Sequence, residues 1–327
     1  MRTALSRPLA ALSVFTLVAC VRSGVGTTVD PSDTTPAAPR ARITGAAFGL
    51  MDPPITSFGA LRVGERVYVV GGYSGTPHAY DSAGQHDALR ALSLTSGAVE
   101  IVSHMPYRVQ SPTLVAHDGS LFVHGGMRAR NAPGEPQDLV SERRIVRFDA
   151  ARRAEVVGEL PEGRSSHAAV VLGASIYVIG GWTLEGAAAG RFATETFVLD
   201  AEDGHTLRRR LPQPFALRAL AAVTVGDRIV IVGGMTDRNA TSSDTYLLDA
   251  NGTFTEGPDF PTNAFGVAAV AHQGHAYASA ADGRVYRLAA DASRWEEVGS
   301  LAFPRFFHQL VSSDDGLLAI GGIAGMS

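Results

Sequence analysis

The sequence has one cysteine, Cys20, and no lysine among its 28 basic residues. A single cysteine excludes an internal disulfide, a multi-cysteine metal site and a Cys–Cys redox pair. The lack of lysine excludes Schiff-base chemistry and the phosphate-binding lysine of a P-loop. Without Arg2 and Arg7 the chain has 26 basic and 32 acidic residues, a net charge of −6, so we expect no nucleic-acid partner. We also expect no metal ion and no cofactor.

Apolar runs long enough to cross a bilayer are absent as well. The run Leu9–Ala19 follows two arginines, and this pattern predicts an export signal over residues 1–20. Its end, Leu17-Val18-Ala19-Cys20, resembles the bacterial lipobox, which implies cleavage before Cys20 and a lipid on that cysteine. The alternative is an ordinary signal peptide that happens to contain a cysteine.

The lipobox resemblance implies an exported, membrane-anchored lipoprotein of the periplasm, the outer membrane or the cell surface. Acyl chains on Cys20 would supply the only membrane contact, because several chains hold a protein at a bilayer. Residues 21–42 are rich in Ser, Thr, Gly and Pro and have few large apolar side chains. They predict a flexible tether, which leaves residues 43–327 as the folded domain.

A repeat dominates this domain. Five apolar runs end in a Gly-Gly doublet, and the first four doublets are 54, 55 and 53 residues apart. The doublets are Gly71-Gly72, Gly125-Gly126, Gly180-Gly181, Gly233-Gly234 and Gly321-Gly322. A degenerate copy with Ala280-Ala281 occupies the longer last gap, so the chain has six units.

Each unit has the same order of short strands. An apolar run and a tight turn precede the doublet strand, and a variable loop follows it. A third strand ends in an apolar-Asp pair such as Leu199-Asp200, and a fourth ends near a proline such as Pro212. Four short strands with tight turns are typical of a propeller blade. We predict an all-β fold, a six-bladed β-propeller with four-stranded antiparallel blades.

These units resemble the Kelch repeat, a blade of the galactose oxidase-like superfamily fold. The residues that carry the resemblance are Arg164, His167, Ile176–Gly181, Leu199-Asp200, Trp295, Pro304, Arg305 and His308. The sequence departs from the family in two ways. The fourth-strand tryptophan occurs only as Trp295, and the fifth unit lacks the glycines.

The N-terminal end of the domain has the pattern of a missing fourth strand. The last unit ends soon after its doublet strand, whereas Ile43–Pro53 has the pattern of a strand followed by its proline. An open ring would leave unpaired sheet edges. We therefore predict that this segment completes the last blade and closes the propeller, and we expect a monomer.

In Kelch domains, ligands bind the face formed by the loops after the doublets and by the joins between blades. The long loops at 73–87, 127–142 and 182–194 predict a pocket walled by blades one to three and low at blade five. Arginines there would suit carboxylate or acidic-sugar ligands, and aromatic faces would suit sugar rings or peptide side chains. The candidate ligand-binding residues are Arg108, Arg128, Arg164, Arg218, Arg238, Arg305, Tyr73, Trp182 and His308.

Each of these assignments has an alternative. Arg164 and Arg305 match a family position at which arginine also packs the joins and binds loop carbonyls. His308 matches a position at which histidine also lies at the edge of the core, bonded to the backbone. His124 replaces an apolar residue before Gly125, and the pattern assigns it no role.

Three functions remain open. The first is a non-catalytic module that holds a glycan or a protein at the envelope. The second is an enzyme, since this chain resembles in size some periplasmic six-bladed Kelch proteins that are sialic acid mutarotases. In that case Glu195 or Glu185 would act with Arg191 as general acid or base and carboxylate clamp. The third is a purely structural envelope component.

Overall fold

The computed structural model describes residues 17–21 and 45–324, and the regular elements in these ranges are all β-strands. The chain begins with two strands that are far apart in sequence, β1 (Leu17–Val21) and β2 (Gly45–Leu50). Most of the rest forms four-stranded antiparallel sheets. The predicted all-β fold of four-stranded antiparallel sheets is confirmed.

Six such sheets occur in the described residues, and we number them along the chain. Sheets one and two contain β3 (Gly59–Val63), β4 (Arg66–Val70), β5 (His86–Ser93) and β6 (Val99–Val109), then β7 (Thr113–His117), β8 (Ser120–His124), β11 (Arg144–Phe148) and β12 (Ala154–Glu159). Sheets three and four contain β13 (Ala168–Leu172), β14 (Ser175–Ile179), β18 (Glu195–Asp200) and β19 (Leu207–Pro212), then β21 (Ala221–Val225), β22 (Arg228–Val232), β24 (Thr245–Asp249) and β25 (Phe254–Glu256).

Sheets five and six complete the set. They contain β26 (Ala268–His272), β27 (His275–Ser279), β28 (Arg284–Leu288) and β29 (Trp295–Ser300), then β30 (Arg305–Ser313) and β31 (Gly316–Ala324), joined by β1 and β2. Short strands in the loops are β9 (Met127–Ala129), β10 (Leu139–Ser141), β15 (Trp182–Thr183), β16 (Glu185–Gly186), β17 (Arg191–Phe192), β20 (Leu217–Arg218) and β23 (Met235–Thr236).

The sheets are arranged around an axis. The first strand of each sheet lies at one edge, and these innermost strands contact one another in the cyclic order β3, β7, β13, β21, β26, β30 and again β3. The second strands of sheets one, three and four, such as β22, are rich in β-branched residues, and four of their five residues are buried. Six apolar clusters lie between neighbouring sheets, so the core is divided radially.

The Gly-Gly doublets make the sharp turn at the end of each second strand. Gly125 and Gly126 have φ values of 60° and 110°, and the Gly126 amide donates to the Arg164 carbonyl at 2.8 Å. A Cβ on Gly125 would overlap that carbonyl oxygen. Only glycine accepts both the positive φ and this close approach. The same geometry, with φ from 60° to 117°, recurs at Gly71-Gly72, Gly180-Gly181, Gly233-Gly234 and Gly321-Gly322.

Sheet five has a tight turn in place of the Gly-Gly doublet. Ala280 is fully buried, and the chain turns directly over Ala280–Gly283. Gly283 has φ 74°, and its missing Cβ makes room for Pro304 in the next join. The chain therefore makes a tight turn here, and no long loop of the described residues follows the second strand of sheet five.

His124 joins two sheets. Its side chain is fully buried, and Nε2 lies 2.9 Å from the carbonyl oxygen of Gly204 in the outer turn of sheet three. A carbonyl can only accept, so Nε2 carries the proton and donates. Burial lowers the pKa of His124 to about 4. The residue for which the sequence pattern has no account is therefore a neutral cross-link between sheets two and three.

Sheet six has the strand order β2, β1, β31, β30. The segment Gly45–Leu50, which lies within the predicted Ile43–Pro53 strand, forms its outer edge. The third strand is Leu17–Val21, which pairs with both neighbours and aligns Cys20 with Ala46 and Leu318. Most of this strand belongs to the end of the predicted export signal. The rest of the predicted signal and tether lies outside the described residues, apart from Val21.

Candidate functional site

Six residues with left-handed backbone stand where the innermost strands begin, on the face of the long loops. Their φ values lie between 50° and 64°. Backbone amides donate from one such residue to the carbonyl of the preceding one, for example from Ala219 to Ser166 at 2.7 Å and from Ser57 to Phe307 at 3.5 Å. We call this set the mouth ring: Ser57, Ser111, Ser166, Ala219, Gly266 and Phe307.

A cavity of about 750 Å³ runs from the mouth ring along the innermost strands. Its lining is mostly Ala, Val, Ser and Thr, and no Asp or Glu of the described chain contributes to it. Arg62 lies at the far end, where its Nη1 is 2.8 Å from Asp314 Oδ1. Because the charge of Arg62 is paired, the lining formed by the described residues has little net charge.

Arg218 and Trp182 form a contact at the rim of the mouth ring. The guanidinium carbon of Arg218 lies 4.3 Å from the ring centroid of Trp182, a cation–π geometry. Its Nη2 lies 2.8 Å from the sulfur of Met235, a weak acceptor. Among the described residues, Arg218 Nε and Trp182 Nε1 are buried without an acceptor. Burial lowers the pKa of Arg218.

The loop of sheet one leans towards this contact. Tyr80 has a positive φ of 47°, and its hydroxyl lies within electrostatic reach of Arg218. Burial raises the pKa of Tyr80, and the charge of Arg218 opposes this shift. Gln137 of the next loop donates to the His78 carbonyl at 2.7 Å. The loop is thus supported by sheet two while Tyr80 reaches across to a residue between sheets three and four.

Tyr73, a predicted ligand-binding residue, lies beneath this loop. Its side chain is buried, and its ring centroid lies 6.0 Å from that of Tyr80. A Cβ on Gly75 or Gly84 would overlap the Tyr73 ring, so both glycines let the loop fold closely over it. Tyr73 supports the loop from below.

The low side of the face carries three aromatic residues. Phe265, Phe306 and Phe307 are partly exposed, and their ring centroids are 5.2 to 5.6 Å apart. They stand beside the short turn of sheet five, so no loop of the described chain covers them. The mouth is therefore bordered by serines on one side and by aromatic rings on the other.

The side chains of Arg164 and Arg305 are buried in the protein interior. Arg164 is 1% exposed, its Nη1 donates to the carbonyls of Gly180 and Glu195 at 2.9 and 3.1 Å, and burial lowers its pKa to about 10. Arg305 Nη1 donates to the Gly321 carbonyl at 3.1 Å. These contacts match the packing alternative, in which the arginine binds loop carbonyls.

His308 is also buried. Its Nε2 lies 2.6 Å from Ser279 Oγ, and burial lowers its pKa to about 3. His167 occupies the matching position in sheet three and contacts Thr113 Oγ1 at 3.1 Å. Both imidazoles join one sheet to its neighbour through a hydroxyl group.

The remaining predicted arginines are spread over the loop face. Arg108 is exposed and donates to the Ser82 carbonyl at 3.4 Å. Arg128 contacts Glu142 Oε2 at 3.4 Å. Arg238 is exposed at the tip of its loop. Of the predicted residues, the structure brings Arg218 and Trp182 together at the mouth, and Tyr73 lies below the loop that leans towards them.

Of the two pairs proposed for catalysis, Glu185 meets Arg191 in an exposed ion pair, whereas Glu195 does not meet Arg191. Arg191 contacts Glu162 at 2.8 Å and Glu185 at 3.0 Å in an exposed network, whereas Glu195 contacts Arg210 at 3.3 Å. Glu142 is the one buried carboxyl group among the described residues. Burial acts to raise the pKa of Glu142. The hydrogen bonds from Arg143 and Arg144 and the charge of Arg144 together outweigh burial, so the pKa is lowered. A general acid needs the opposite shift.

The mouth ring and Phe265 were not predicted from the sequence. Five ring residues lie two positions before an innermost strand and Phe307 lies inside β30, but they share no residue type. Alignment of the six units on their doublet strands would have placed them together. In residues 17–21 and 45–324, no three His, Cys, Asp or Glu residues converge as metal ligands. No helix in the same ranges could span a membrane.

Comparison with solved structures shows the class of fold. The structure titled "Structure of YjhT" matches with a TM-score of 0.68 and 14% sequence identity, over 84% of this chain and 92% of the other. No family model and no curated protein matches the sequence. Four-stranded sheets around an axis, together with this similarity, define a β-propeller.

Proposed function

We propose that this protein is a six-bladed Kelch-type propeller that acts as a non-catalytic binding or scaffold module at the bacterial envelope. The six sheets would be its blades. The strand β2 would complete the last one, because cleavage before Cys20 would remove three of the five residues of β1. The lipobox resemblance at Cys20 supports a lipid anchor. The repeat of Gly-Gly doublets supports the Kelch assignment.

The ligand is a glycan or peptide with a ring and a hydrogen-bond acceptor. The observation that carries this proposal is the contact of Arg218 with Trp182, where two buried donors lack acceptors among the described residues. An acceptor on the ligand would satisfy them, and a sugar or side-chain ring would stack on the exposed aromatic residues. The loop that carries Tyr80 would have to move for full access.

An array of glycans and peptides, probed with the purified full chain, tests this site. We expect wild type to bind a defined subset of ligands. Arg218→Gln and Trp182→Ala should each weaken binding of that subset about tenfold, since one charged hydrogen bond or one stacked ring is lost. Affinities for the best ligands are then measured by calorimetry.

Arg228→Gln is the matched control, because Arg228 is an exposed arginine at the opposite hairpin end of sheet four. It should bind like wild type. Equal binding by all three variants would contradict the proposed mouth site. Faster interconversion of sugar-acid anomers by wild type would favour the mutarotase alternative instead. That alternative is supported by fold similarity alone.

A further inference from the structure

Arg90 is a buried cation for whose Nη1 the described residues offer no acceptor. It lies in β5 and is 4% exposed. No carboxylate in these residues forms an ion pair with it. Arg164 is equally buried but has two carbonyl acceptors. An uncompensated buried charge costs several kcal/mol, so a negatively charged partner would stabilise Arg90.

Three polar residues lie near the start of β5, the strand that carries Arg90. His86 lies four residues earlier, on the same face of the strand, because side chains alternate along β-strands. Its Nε2 lies 2.7 Å from Ser74 Oγ, an exposed hydroxyl. Arg108, near the end of β6, is exposed, and its Nη1 donates to the carbonyl of Ser82 in the adjoining loop at 3.4 Å. Two guanidinium groups and two neutral polar groups thus occupy one region of sheet one.

Electrostatics supports the same grouping. Burial lowers the pKa of His86, and the charges of Arg90 and Arg108 lower it further. His86 is therefore neutral at pH 7 and can donate one hydrogen bond. Asp87 is the carboxylate whose charge acts on Arg90. It lies on the other face of β5, where its Oδ1 is 3.1 Å from His104 Nδ1, so the face of Arg90 keeps an excess of positive charge.

We propose that Ser74, His86, Arg90 and Arg108 form a site for a tetrahedral oxyanion, a phosphate or sulfate group. We call it the β5 site. Arg90 supplies the buried charge, Arg108 the exposed one, and the hydroxyl and imidazole supply neutral hydrogen bonds. Guanidinium groups bind such oxyanions through paired N–H donors. The site is separate from the mouth and does not depend on the function proposed there.

Calorimetric titration of the purified full chain with inorganic phosphate, sulfate and acetate at constant ionic strength tests the β5 site. We expect saturable binding of phosphate and sulfate and weaker binding of acetate. Arg90→Met should weaken phosphate binding about tenfold, and Arg108→Gln should weaken it several-fold. Arg90→Met should be at least as stable as wild type, because an unpaired buried charge is replaced by an apolar chain.

Arg228→Gln is the matched control, an exposed arginine at the hairpin end of sheet four. It should bind phosphate like wild type. The proposal is overturned if phosphate does not bind, or if Arg90→Met binds it unchanged. Loss of binding in Arg218→Gln with retention in Arg90→Met would place the anion at the mouth and would also overturn it. Acetate binding as tight as phosphate binding would refute a tetrahedral ligand.

Discussion

Single glycines set the geometry of the sheet ends. At the residue scale, Gly125 combines a φ of 60° with an approach to the Arg164 carbonyl that leaves no room for a Cβ. Gly119, in the hairpin turn of the same sheet, has a φ of 74°, and a Cβ there would meet no atom of the described chain within 4 Å. Substitutions at Gly119 and Gly125 therefore distinguish the cost of a positive φ from the cost of steric overlap.

We expect Gly125→Ala to destabilise the protein by about 3 kcal/mol, and Gly119→Ala by about 1 kcal/mol. Both variants place alanine at a positive φ, but only the first also pushes against a carbonyl of the next join. Urea denaturation measures the two free energies of unfolding. Equal losses would mean that the approach to Arg164 is relieved by a small backbone shift.

At the element scale, the loop 74–84 is held by few contacts. Gln137 donates to the His78 carbonyl, and the Ser82 amide donates to the Asn131 carbonyl at 3.0 Å. Most of the residues at 74–79 are exposed. Segments with few buried contacts open at a small fraction of the global free energy of unfolding. The loop can therefore open while the sheets stay folded.

Gln137→Ala should free this loop. We expect amide hydrogen exchange in residues 74–84 to become about tenfold faster, because loss of the Gln137 hydrogen bonds to the His78 and Ala79 carbonyls costs about 1 kcal/mol. The unfolding midpoint should hardly change. Gln273→Ala, in an exposed hairpin on the opposite face, should leave exchange in the loop unaltered. An unchanged exchange rate in Gln137→Ala would show that other contacts hold the loop.

At the scale of the whole molecule, buried histidines make stability depend on pH. Burial lowers the pKa of His124 to about 4 and that of His308 to about 3, against an ordinary value of 6.5. Below pH 6.5 the unfolded chain takes up protons that the folded chain refuses. The stabilisation is complete above pH 6.5 and is lost as the pH falls towards these folded values.

Between pH 7.5 and pH 5, each of these histidines should remove about 2 kcal/mol from the free energy of unfolding. Urea denaturation at both pH values measures the loss. His308→Asn should unfold more readily at pH 7.5 but show a smaller loss on acidification. A variant of an exposed imidazole, His78→Gln, should retain the wild-type loss. If His308→Asn loses as much free energy of unfolding on acidification as wild type does, the loss comes from groups other than His308.

Much of this architecture could be predicted from the sequence, because the doublets recur at a constant spacing and each needs glycine for a steric reason. The short turn at Ala280–Gly283 could be predicted for another reason, because an Asp-Gly pair such as Asp282-Gly283 favours a tight hairpin. The mouth ring was not, since Ser166, Ala219 and Phe307 share only a backbone conformation. The packing of Arg164 and the isolation of Arg90 depend on contacts between distant segments, which no local pattern reveals.

One strand was beyond any sequence pattern. Leu17–Val21 has the composition of a signal-peptide end, yet it is hydrogen-bonded on both sides within sheet six. A peptidase must hold its cleavage site as an isolated extended chain, and a strand flanked by two partners is not available to it. If Cys20 is lipidated, cleavage must therefore precede this pairing, and the product lacks three of the five residues of the strand. The precursor and the anchored product would then differ in how their last sheet is paired.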